Sequence, residues 1–134
     1  MESIKISTNR IRLAINDDES KILSFNPGDA MLRKKFYDIR IMAIAKQKEL
    51  DIKIKKLKDG DTKAAIDMEI EVFDEIAKLV DGAFGVNTCE MACDGDKDLA
   101  GICNFIIAIA PYFQKYNEDM KNKYVNNLKS NGII

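Results

Sequence analysis

Reactive side chains are few in this sequence, and the gaps decide more than the residues present. There is no histidine among the 134 residues. That removes Ser-His-Asp and Cys-His catalysis, imidazole metal ligands and the commonest general base at neutral pH. Three cysteines remain, Cys89, Cys93 and Cys103. A structural zinc site wants four Cys or His ligands, often as CxxC pairs, and here a fourth ligand is missing. Ordinary reduced thiols are the expectation. Asp94-Gly95-Asp96-Lys97-Asp98 opens like a calcium loop. An EF-hand needs glycine at its sixth position and glutamate at its twelfth; this chain has Leu99 and Phe105 there, so a turn and helix cap is expected instead. No phosphate-binding glycine loop is present. The carboxylates Asp67, Glu71, Asp74 and Glu75 read as a solvated helix face. No catalytic residue, metal or cofactor is expected, and an enzyme is the least favoured class.

The elements that hold these residues follow from periodicity. Over residues 3–25, Ile4 and Ile6, then Ile11, Leu13 and Ile15, then Ile22 alternate with polar neighbours, which predicts two or three short antiparallel strands. Asn26-Pro27-Gly28-Asp29 closes the sheet and opens a helix, with Asp29 as N-cap. That helix is expected from about Ala30 to Lys58, on the stripe Leu32, Phe36, Ile39, Ala43, Leu50, Ile54 and Leu57, interrupted at Lys46 and Gln47. Its length, about 44 Å, exceeds the roughly 36 Å diameter of a compact domain of this size, so its lysine-rich half should project. Gly60 ends it. A second helix, capped by Asp61 or Thr62, should run from about Lys63 to Ala83 on Ile66, Ile70, Phe73, Ile76, Ala77 and Val80, forming an antiparallel hairpin with the first. Residues 85–98 read as a loop. A third helix starts at an Asp98 cap, carries Ile102, Phe105, Ile106 and Ile109, and should kink or break at Pro111. Phe113, Tyr116, Met120, Tyr124 and Leu128 continue its spacing, and the terminal SNGII should fray.

The fold class is therefore α+β and helix-dominated, in one domain: a β-rich part over 1–28, a helical hairpin over 29–83, a loop over 84–98 and a C-terminal helix over 99–130. By area scaling such a chain should bury roughly 68% of its unfolded surface. Apolar residues make up 46% and charged residues 32%, a globular balance. No apolar run suits a membrane span, and MESIKISTNR lacks the apolar core of a secretory signal. A cytoplasmic protein is expected. The net charge of −1 conceals a division. Residues 29–59 hold ten Lys/Arg against five Asp/Glu, and residues 61–98 hold three against eleven. Neighbouring helices with complementary faces explain this, as does charge-guided docking. The overall balance argues against nucleic acid as partner.

Two segments resemble small proteins encoded in tail-gene clusters of siphophages and prophages of Gram-positive bacteria. One is ESIKISTNRIRLAINDDESKILSFNPGDAMLRKKFYDI, with the matching residues Phe25, Pro27, Asp29, Phe36 and Tyr37. The other is FGVNTCEMACDGDKDLAGICNFIIAIAPYFQKY, matching at Phe84, Gly85, Thr88, Cys89, Phe105, Pro111 and Tyr112. Where that family often has a second Phe-Gly in the loop, this chain has Ala92-Cys93-Asp94-Gly95. The resemblance implies a tail assembly chaperone or related tail protein that binds tape-measure or tail-tube protein. Self-association is expected, through the hairpin or a strand edge. The rival classes are a structural virion subunit, such as a tail-completion or connector protein, and a small helical regulator or nucleic-acid binder using Lys46–Lys58. The expected protein contacts, chosen by position, are Leu50, Ile54 and Leu57 on the projecting helix and Tyr116 and Tyr124 near the C-terminus.

Overall fold

In the computed structural model, which describes residues 1–130 and 132, the chain opens with a β-hairpin of β1 (Ile11–Ile15) and β2 (Asp18–Phe25). Asn16 and Asp17 both take positive φ, 52° and 61°. This is the left-handed pair that a two-residue turn between twisted strands requires. Ile11 pairs with Phe25 and Leu13 with Leu23, and an irregularity between Ala14 and Ile15 shifts the register before the turn. Ile11, Leu13, Ile15, Leu23 and Phe25 thus share the inward face. Among the described residues the sheet has two strands. The alternation of Ile4 and Ile6 forms no strand, because residues 1–10 have no neighbouring strand to pair with and lie exposed.

The helices follow in order: α1 (Ala30–Lys55), α2 (Thr62–Phe84), the short α3 (Thr88–Ala92) and α4 (Leu99–Ser130). Just before α1, Asn26 Oδ1 accepts the Gly28 N–H at 2.8 Å. The Asp29 side chain then accepts from the N–H groups of Met31 and Leu32, satisfying two of the donors a helix start leaves bare. Gly60, at φ 86°, turns the chain into α2. Asp61 occupies the cap position there, but its side chain makes no capping bond. Asp98 caps α4 by accepting the Gly101 N–H at 2.9 Å.

One expectation for the second half needs correction, and another is narrowed. Residues 85–98 are not wholly a loop, since α3 lies within them; five residues are too few for apolar periodicity to announce. The long C-terminal helix passes through Pro111 without a break. Pro111 and Ile107, one turn back, are both exposed, so water can take the carbonyl that proline leaves without a donor. The expected fraying of SNGII falls mostly on residues outside those described.

Pairings fix the packing. Lys46 meets Glu75 at 2.8 Å, so α1 and α2 are antiparallel. Lys97, just before α4, meets Asp74, and Phe84 touches Phe105, so α4 runs with α2. Arg33 donates to Asn117 and Phe36 stacks on Phe113 at 4.6 Å, so α4 runs against α1. The junction is aromatic: Phe25, Phe36, Phe84 and Phe113 meet with centroids 4.6–6.4 Å apart, joining β2 to all three long helices. Ile76, Val80 and Ile102 are fully enclosed beside it. The start of α4 lies level with Asp74, and so the hairpin tip extends past it. At the other end α4 continues past the start of α1 for about ten residues.

Candidate protein-binding surfaces

Several of the side chains able to do chemistry make contacts that hold the fold. Burial pushes the Cys89 thiol up to about 12, with the nearby Cys93 and Asp81 adding to the effect. Burial likewise raises Cys93 and Cys103. All three are free, and burial favours the protonated thiol over the more reactive thiolate in each. Among the described residues no group of three or more Cys, Asp or Glu side chains converges as metal ligands would. Asp81 serves the fold, because its carboxylate accepts the Cys89 N–H at 2.8 Å and so fastens α3 to α2. Thr88 donates from its hydroxyl to the Gly85 carbonyl at 2.7 Å. Lys21 pairs with Asp94, tying the β-hairpin to the segment after α3.

Surfaces are the stronger feature. A groove of about 500 Å³ lies between the β-hairpin and the outer side of α4, lined by Leu13, Ile15, Leu23, Phe105, Ile109 and Tyr112 among others. A second surface lies on α1, which is apolar on two opposite sides. Leu32, Phe36, Ile39, Ala43 and Leu50 face the core. Turned away from them, Tyr37, Ile41, Ile44 and Ile52 are each more than half exposed. Spaced by four, three and eight residues, they form a row about 22 Å long that Lys48 interrupts between Ile44 and Ile52.

The five residues expected to bind protein are not brought together. Leu50 is 8% exposed, packed beside Met68 and Val72 of α2, and so belongs to the core rather than to a contact surface. Ile54 is 38% exposed and Leu57 is half-buried, both at the hairpin tip. Tyr116 lies beneath the Arg33 guanidinium, 5.1 Å from ring centre, held by a cation–π contact within the chain. Tyr124 is 62% exposed on the far part of α4. The break in the stripe at Lys46 and Gln47 is explained by their partners. Lys46 reaches Glu75, which holds it protonated above the ordinary lysine value, and Gln47 donates to the Ala43 carbonyl. The exposed row on α1 is legible as a second three-and-four repeat, but assigning one stripe to each helix passes over it.

No known family, no curated protein and no solved structure matches the chain. Among the described residues no helix is long and apolar enough to cross a membrane.

Proposed function

We propose that this chain is a non-enzymatic protein-binding module, a phage or prophage tail assembly chaperone that acts on tape-measure or tail-tube protein in the bacterial cytoplasm. The observation that carries the binding part is surface area. The chain exposes 9785 Å², whereas a compact protein of 15.1 kDa exposes about 7,100 Å². Against about 21,900 Å² for the unfolded chain, roughly 55% is buried rather than the expected 68%. The exposed surface includes the arm 1–10, much of α1 and the far part of α4, and it carries many large apolar side chains. Surface of that kind is stabilised when a partner covers it.

The tail-assembly part rests on the resemblance alone. Phe25, Phe36, Phe84 and Phe105 all belong to the aromatic junction, Asp29 caps α1, and Thr88 and Cys89 anchor α3. These seven are scaffold positions, whereas Tyr37, Pro111 and Tyr112, which also carry the resemblance, are exposed. The test is a pull-down of tagged protein from cells expressing the neighbouring tail genes, with mass determination of what is retained. Recovery of tape-measure or tail-tube protein is expected. Recovery of neither, together with presence of the chain in purified mature particles, would transfer the assignment to a structural virion subunit.

A further inference from the structure

The exposed row on α1 has a charge pattern that selects its partner. Read as heptads, Tyr37, Ile41, Ile44 and Lys48 take alternating d and a positions, with Lys34 and Lys55 at further a positions, Asp51 at the d position between Lys48 and Lys55, and Arg40 alongside. The 3-4 spacing is that of a helix which packs lengthwise against another helix. Most of its basic members make no ion pair among the described residues. Among the described residues Lys34, Arg40 and Lys48 have no ion pair, and Lys55 alone is held, by Asp51 at 2.8 Å. A lysine at a central a position wants a carboxylate opposite and fixes the register of the pair.

We propose that this face of α1 docks an acidic amphipathic helix of another protein, whose apolar row covers Tyr37, Ile41, Ile44 and Ile52 and whose carboxylate meets Lys48. The proposal rests on the protein-binding reading above and names the chemistry of the partner. A second copy using the same face fits poorly. Parallel pairing in register sets Lys48 against Lys48, and antiparallel pairing about Ile44 sets Lys48 beside Arg40, so either arrangement opposes like charges. The apolar row is one residue wide, which suits a helix better than a bilayer, and its isoleucines interrupt any continuous phosphate-binding strip.

The probe is a synthetic three-heptad peptide with leucine at a and d, glutamate at the flanks and one glutamate placed to face Lys48. A second peptide carries lysine for every glutamate. Titrated against the full-length protein at physiological salt, the acidic peptide should bind at least about tenfold more tightly than the basic one. Ile41→Ser/Ile44→Ser should lose that binding while keeping the wild-type melting transition, since both residues are exposed. K48E should shift the preference toward the peptide with lysine facing it. Equal affinity for both peptides, or an unaffected Ile41→Ser/Ile44→Ser protein, overturns the proposal. So does binding to anionic phospholipid vesicles, to duplex DNA or to a second copy that the same double substitution abolishes. If the double variant fails with the peptide yet still retains tail proteins in the pull-down, the docking face is wrong and the assembly role stands.

Discussion

Cys89 is held in α3 as a buried thiol, and its protonation couples to folding. Its folded value of about 12 lies above the roughly 8.5 of an unfolded cysteine. The native state therefore keeps its proton where the unfolded chain loses it. The resulting stability is fully present below about pH 8.5 and is lost progressively as pH rises toward 12, at up to about 1.4 kcal/mol per pH unit. Urea unfolding of wild type against Cys89→Ala between pH 8 and pH 10.5 should show a steeper decline for wild type; parallel curves would exclude the coupling. At the aromatic junction, Phe113 stacks on both Phe36 and Phe25 and is 4% exposed. Phe113→Ala should cost about 3–5 kcal/mol, a large share of the stability of a small domain, read as a drop in the urea midpoint. Leu50→Ser belongs with it. Because the side chain packs beside Met68 and Val72, its loss should destabilise the hairpin by at least about 2 kcal/mol, which a contact on a free surface would not.

The elements differ in how openly the sequence announces them. The strand pair, both hairpin helices and the start of α4 follow from alternation, three-and-four spacing and the caps Asp29 and Asp98, because each of those signals is local. Three features are not local. Residues 3–7 alternate as well as β1 does, yet a strand exists only if another lies beside it. The short α3 is held by Asp81, seven residues before its first residue Thr88, so its own composition does not reveal it. Pro111 would end a buried helix, but on an exposed face solvent replaces the lost bond, and packing of Ile109 and Phe113 on either side carries the helix through. The candidate surface was hidden for a related reason, since a helix that is apolar on two sides looks merely hydrophobic until its packed side is known. Chemical denaturation of a proline variant tests the element-scale account. Pro111→Ala should raise stability by roughly 1–3 kcal/mol, because alanine restores the N–H that the exposed turn lacks and removes the ring clash. A destabilising Pro111→Ala would mean that the proline sets a bend on which the packing of α4 depends.

At the scale of the molecule, one aromatic junction holds four elements together while both ends of the helical frame run past it. Helix α4 alone is about 48 Å long, and beyond Asn117 only Met120 and Val125 among the described apolar side chains are even partly covered. The hairpin tip at the opposite end is sealed by Leu50 and by ion pairs among Lys46, Glu49, Lys53 and Glu75, which are exposed enough to be weakened by salt. Such a chain should scatter as an elongated particle. A compact domain of 134 residues has a radius of gyration of about 14 Å; small-angle scattering of this protein at low concentration should give a value clearly above that. Its pair-distance distribution should carry a long tail reaching the length of α4. On addition of a cognate partner the particle should gain mass without the projecting ends folding back. A radius of gyration at the compact value would show that the ends close onto the body in solution, and the excess surface that supports a binding role would then not exist.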